Sequence, residues 1–187
     1  MVILRGYWVY TSKSLLRENA DVIRKYFSFE EAIREPVNRR FQDLRTNPST
    51  VLIGVHIRRT DYKEFANGAF YFDVEEYHRV MKSVVESNPT VAIEFLVFSD
   101  ETRSVGEFNQ VHCHCLNFGF LGDLYALSQC DALIGPWSSF NRWAAFFGDI
   151  PRLEMGRDLR SFDLSDFDSE VGLNEANEKW EILGLAS

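Results

Sequence analysis

The apolar positions along this chain alternate between short unbroken runs and longer periodic stretches. Val51-Leu52-Ile53-Gly54-Val55 is continuous and rich in β-branched residues, which predicts a buried strand over 51–57. Ala92 to Phe98 predicts a second buried strand, residues 111–115 a short third, and Asp131 to Ile134 a short fourth. Between them the apolar spacing is helical. Ser14 to Tyr26 reads as one helix, and Val37, Phe41 and Leu44 share a face of another. Ser28 and Glu31 fit a capping box, and Pro36 is expected to break or restart that helix. Asp73 is the expected N-cap of a helix whose inner face carries Val74, Tyr77, Met81, Val84 and Val85. Leu121 to Cys130 reads as helix, with Leu124, Leu127 and Tyr125 inward. A last helix follows Ser138, with Phe140, Trp143, Ala144 and Phe147 as its buried face. Beyond Pro151 the pattern turns acidic and irregular, ending in a short helix near 174–183. Strands alternating with helices predict an α/β sheet covered by helices on both faces.

Composition narrows the class of protein without changing this picture. The chain has 187 residues, 45% of them hydrophobic and 26% charged, the balance of a globular domain. Net charge is −8 and the twenty Lys and Arg are scattered, so no nucleic-acid-binding face is expected. No membrane span is expected, because no stretch approaches the roughly 20 apolar residues one requires. Three cysteines, Cys113, Cys115 and Cys130, make no disulfide framework. With no signal peptide in the chain, a cytoplasmic location is expected.

Candidate chemistry concentrates where the first strand ends. His56-Ile57-Arg58-Arg59-Thr60-Asp61 places an imidazole, two guanidiniums and a carboxylate at that point. In open α/β sheets ligands bind outside the carboxyl ends of strands. Guanidinium forks match phosphate oxygens, so a diphosphate suits this doublet. A structural ion pair of Arg58 or Arg59 with Asp61 fits the same spacing equally well. Ser138 and Ser139 lie at a second strand-to-helix turn, where free N–H groups and the helix dipole favour phosphate; Ser138 also suits a plain cap. The P-loop, the GxGxxG fingerprint and the GxSxG elbow are all missing from the sequence. His112-Cys113-His114-Cys115 alternates across a strand, so its cysteines and histidines face opposite ways and no metal site is expected there.

These residues resemble a known family. His56-Ile57-Arg58-Arg59-Thr60-Asp61 matches the HxRRxD motif of the GDP-fucose-dependent fucosyltransferases of the α1,2, α1,6 and protein-O-fucosyl superfamily. Phe70 to Tyr77 is similar to the helix opening that follows it in the α1,6 group. Gly122 to Asp131 resembles the second motif, and Gly135-Pro136-Trp137-Ser138-Ser139-Phe140 with Arg142-Trp143-Ala144-Ala145 resembles the third, in its α1,2 form. All three occur in order over roughly residues 50–150.

The resemblance implies an inverting, metal-independent glycosyltransferase with no cofactor beyond its GDP-fucose donor. This segment would be the carboxy-terminal, donor-binding, Rossmann-like half of a GT-B fold: a parallel sheet with helices on both faces. It implies that Arg58 holds the β-phosphate, His56 the nucleotide portion, Asp123 the guanine edge, and Ser138 and Ser139 a phosphate. Phe140 falls near the sugar, and Arg59 and Asp61 support the loop. The glutamate that follows the motif in the α1,6 group falls near Asn67, which leaves Asp61 and Glu64 as nearby acids. Residues 1–48 are expected to be a lead-in from an amino-terminal half, 49–155 the nucleotide-sugar domain, and 156–187 an acidic tail with a short helix. A glycan acceptor would bind on a side supplied by a partner domain or a second copy. Two rivals stand beside this reading: a non-catalytic GDP-sugar-binding module or truncated homologue, and an unrelated α/β protein with a structural ion-pair cluster.

Overall fold

The computed structural model describes residues 13–157 and 161–167 of the chain. Five parallel strands form one sheet: β1 (Val51–Ile57), β2 (Ile93–Ser99), β3 (Cys113–Cys115), β4 (Ala132–Gly135) and β5 (Arg152–Glu154), in the order β3-β2-β1-β4-β5. The helices are α1 (Lys13–Glu18), α2 (Ala20–Tyr26), α3 (Glu31–Leu44), α4 (Val74–Ser87), α5 (Gly119–Ser128) and α6 (Ser139–Gly148). This is the expected Rossmann-like α/β sheet.

Strand β1 lies at the centre and is buried along its whole length. Its odd residues, Val51, Ile53, Val55 and Ile57, join a core with Tyr77, Met81 and Val84 of α4. Its even residue Leu52 packs on the opposite face with Val37 and Phe41 of α3, Leu127 of α5 and Ala144 of α6. A strand covered on both faces reads as continuous hydrophobicity, which is why its bounds were legible. At its amino end Asp131 accepts from the Leu52 N–H at 2.9 Å and takes a two-pronged contact from Arg45 at 3.1 and 3.2 Å.

Four features differ from the sequence reading. The helix expected over Ser14–Tyr26 is interrupted at Asn19, giving α1 and α2. Helix α3 runs from Glu31 to Leu44 straight through Pro36, with Glu30 and not Ser28 as N-cap. An interior proline costs about 3 kcal/mol, and burial of Val37, Phe41 and Leu44 on one face offsets it. In α6 the buried side is Ala144, Ala145 and Phe146, whereas Trp143 is 43% exposed. The fifth strand, β5, pairs with β4 where irregular chain was expected.

Of the segment read as an acidic tail, Phe162, Leu164 and Phe167 are packed into the core on the α4 side. The expected helix near 174–183, and the lead-in before Lys13, lie outside the described residues. Among the described residues no helix is long and apolar enough to cross a membrane.

Candidate functional site

The chain leaves β1, builds β2 and β3 on one side, then crosses back to place β4 and β5 on the other. The connections after β1 and β4 therefore diverge, and a crevice opens between them at the carboxyl edge. His56 and the loop of Arg58, Arg59 and Asp61 leave from β1. Trp137, Ser138 and Ser139 leave from β4, its parallel neighbour. The order of strands alone brings the first and third motifs to one place.

In the loop after β1 the two arginines have different surroundings. The Arg58 Nε donates to Asp61 Oδ1 at 2.8 Å and lies 3.5 Å from Asp100 Oδ2. Its guanidinium is 5.9 Å from the Tyr62 ring centroid. That bond from Arg58 holds the Asp61 carboxyl below its usual range. Arg59 is more enclosed. It donates to the Tyr71 hydroxyl at 2.6 Å, lies over the Tyr71 ring, and sits 3.2 Å from Glu101 and 3.6 Å from Asp73. The ion pair with Asp61 that the spacing also allowed is made by Arg58, while Arg59, enclosed by Glu101, Asp73 and the Tyr71 ring, has the setting of a structural cation.

Asp100, just past β2, organises this loop. Its carboxylate accepts from the Arg59 N–H at 3.1 Å, the Thr60 N–H at 3.1 Å and the Thr60 hydroxyl at 2.6 Å. Bonds to an ionised acceptor are stronger than neutral ones. The loop then closes through aromatic rings. Tyr62 stacks on Phe65 at 5.5 Å, Phe65 meets Phe70 at 6.1 Å, and Phe70 stacks on Trp137 at 5.0 Å. The Tyr62 hydroxyl donates to the Trp137 carbonyl at 3.0 Å and completes the circuit. Between these rings Ala66, Asn67 and Gly68 all take positive φ, of 49°, 56° and 72°. A positive φ costs a non-glycine residue roughly 1–2 kcal/mol, so the ring contacts hold a bend the backbone resists.

The turn after β4 is built differently. Ser138 is buried and its Oγ accepts from the Phe140 N–H at 3.2 Å, capping α6; its own O–H remains a donor. Ser139 is exposed at the first helical position. Phe140 lies 4.8 Å from the His56 ring and 5.1 Å from Phe120, at the start of α5. Buried Asn141 donates to the Pro136 carbonyl at 3.1 Å. A Cβ on Gly135 would come within 2.0 Å of that amide nitrogen, so only glycine admits Asn141 here. His56 is itself buried; its pKa falls from 6.5 to about 4, first through burial and then through the Arg58 charge, and the ring is neutral at pH 7.

Asp123 sits in α5, whose start touches Phe140 through Phe120. Its Oδ1 accepts from the Phe118 N–H at 2.7 Å, and burial pushes its pKa up to about 6. Glu64, the other acid near the motif, is exposed just before the Ala66 bend. On β3, Cys113 and Cys115 pack toward the core, and His114 lies 3.3 Å from Glu94. Asp100, Asn141 and Tyr71 carry the site's internal support and were missed in the sequence. Asp100 lies just past the apolar run that ends at Phe98 and belongs to no motif, and nothing local to Asn141 shows that it will meet His56.

The family model of glycosyl transferase family 11 matches residues 11–151. Among solved structures the chain is similar in fold to POFUT1 in complex with GDP (14% identity, TM-score 0.53). It is similar also to NodZ alpha-1,6-fucosyltransferase soaked with GDP-fucose (19% identity, TM-score 0.51). Each likeness covers 78% of this chain and 51% of the other. A fucosyltransferase NodZ from Bradyrhizobium matches at 18% identity and TM-score 0.47, over 67% of this chain and 44% of that one. The chain thus spans about half the length of the solved structures it matches. No curated protein sequence matches it.

Proposed function

Because the chain belongs to glycosyl transferase family 11, we propose that the carboxyl edge of its sheet binds GDP-fucose and delivers fucose to a glycan hydroxyl. One observation carries this reading: the switch point of the sheet gathers a half-exposed guanidinium, a capped helix start and the half-buried Asp123 carboxylate on elements that meet through the His56, Phe140 and Phe120 rings. Arg58 holds the β-phosphate, exchanging or sharing its bond to Asp61. The Ser138 hydroxyl and the backbone at Ser139 take further phosphate oxygens at the α6 start. His56 contacts the nucleotide, Asp123 accepts from the guanine edge, and Phe140 lies near the sugar. Arg59 keeps the loop in shape.

In the transfer the bond from the sugar C1 to the β-phosphate oxygen breaks as the acceptor oxygen bonds C1 from the opposite face, which inverts the centre. Charge develops on the departing diphosphate, and Arg58 with the α6 dipole is placed to receive it, so the proposed reaction needs no metal. The hydroxyl proton passes to a base. Asp61, held low by Arg58, and the exposed Glu64 are the two nearby acids assigned to that role. We take residues 49–155 as the donor-binding unit, 1–48 as its lead-in and 156–187 as a tail whose Phe162, Leu164 and Phe167 pack back onto the core. The acceptor side belongs to a partner domain or another chain, in a cytoplasmic setting.

The test is thermal shift with GDP, GMP and ATP, followed by GDP release from GDP-fucose with mixed glycan acceptors. Stabilisation by GDP above GMP and ATP is expected; no stabilisation by GDP overturns the reading. A second reading, a GDP-sugar-binding module without transfer, is favoured by the ion-paired state of Asp61. Binding of GDP without any acceptor-dependent release selects it.

A further inference from the structure

Behind the edge of the sheet, two polar atoms are sealed from solvent without a well-aligned partner: Nδ1 of His56 and Oδ1 of Asn141. They belong to neighbouring side chains: Phe140, next to Asn141 in the chain, lies 4.8 Å from the His56 ring, and the Asn141 amide is close enough to bear on the imidazole. Asn141 cannot turn its nitrogen toward the ring at no cost, because Nδ2 is already committed to the Pro136 carbonyl at 3.1 Å. The oxygen is what remains. An amide oxygen only accepts, so the histidine nitrogen facing it must carry a hydrogen. Gly135 leaves room for this amide, and Phe140 at 4.8 Å packs on the imidazole.

We propose that Asn141 is a positioning residue that fixes His56 as the Nδ1–H tautomer and leaves Nε2 as a bare acceptor for the bound nucleotide. The consequence is a division of labour. A bare nitrogen repels phosphate oxygens and bonds an O–H or N–H, so His56 selects a ribose hydroxyl or a base N–H. The phosphates are left to Arg58 and the α6 start. This rests on the GDP-binding reading above and deepens it.

The tautomer is read directly from long-range 1H–15N spectra of ligand-free protein labelled at histidine, with His56 identified by its loss in His56→Gln. A proton on Nδ1 is expected, and a proton on Nε2 overturns the proposal. In Asn141→Leu the proton is expected to move toward Nε2 and GDP affinity to fall about tenfold. An unchanged tautomer in this folded variant overturns it. Asn141→Asp keeps an acceptor and adds charge. The charges already acting on His56 are Arg58, which opposes protonation, and Asp100, which favours it. With Asp at 141 the Nδ1 proton is expected to stay while the His56 midpoint climbs from about 4 toward 6.5; a midpoint that does not rise counts against the contact. If wild-type protein shows Nδ1–H yet binds no GDP, the functional reading fails and the pairing stands.

Discussion

Two connections meet at the edge of this sheet, and they are stabilised by opposite means. The loop after β1 is charged and held by ions: Asp100 gathers its backbone, and Asp61, Asp73 and Glu101 surround its arginines. The turn after β4 is neutral and held by neutral hydrogen bonds and close packing, with Ser138 capping α6 and Asn141 wedged over Gly135. The first can yield a guanidinium by giving up an exposed carboxylate. The second offers donors that are already in place. A ligand carrying both phosphates and a base meets an adjustable grip on one side and a fixed one on the other.

Four changes test this contrast, the largest effect first. Asp100→Ala removes the acceptor of three hydrogen bonds to the charged loop. At about 1–1.5 kcal/mol each, it is expected to cost roughly 3 kcal/mol and lower Tm by about 10 °C. A calorimetric melt within 2 °C of wild type would show that the aromatic circuit alone holds the loop. Gly135→Ala forces Asn141 out of its place and is expected to cost about 2 kcal/mol, read as a denaturant midpoint. The arginines should then separate. Arg58→Ala is expected to weaken GDP binding by about tenfold or more with little change in stability, and Arg59→Ala to lower stability by about 1 kcal/mol. Equal effects on titration calorimetry and melting would erase the distinction between them.

The smallest effect is in pH. His56 has a folded pKa of about 4 against 6.5, so the unfolded chain binds more protons in that window and stability falls as pH drops from 6.5 to 4. Asp123 acts in reverse. Its folded pKa of about 6 exceeds 3.8, so its contribution is full below 3.8 and lost as pH rises through 6. Asp123→Asn is therefore expected to melt a few degrees higher at pH 7 and to lose stability more steeply on acidification. Parallel Tm profiles for the two proteins between pH 4 and 7 would contradict this assignment.

The same contrast explains what the sequence disclosed. Strand β1 and helix α4 were legible because burial imposes a strict apolar pattern on them. The motifs at their ends were legible as a family resemblance, and family membership bears that out. Strand β5 was hidden because Arg152 and Glu154 are charged; they pair with each other, and Glu154 with Arg142, which no local pattern announces. Pro36 misled because a local penalty was weighed without the core that α3 covers. Asp100 and Asn141 act across 40 and more residues of chain, on the β1 loop and on His56, so only the folded topology reveals them.

Gly148 ends α6, and a Cβ there would meet the Ser128 carbonyl at the end of α5 within 2.2 Å. The two helices pack against each other, and this is a point of close approach at the end away from the binding edge. Each has ten residues, so at 1.5 Å per residue it is a rigid arm about 15 Å long. A methyl group at the far end would act as a wedge under a lever, turning a small separation there into a change of gap between Phe120 and Phe140. A change at the heel would thus be felt at the mouth, through a residue with no chemistry of its own.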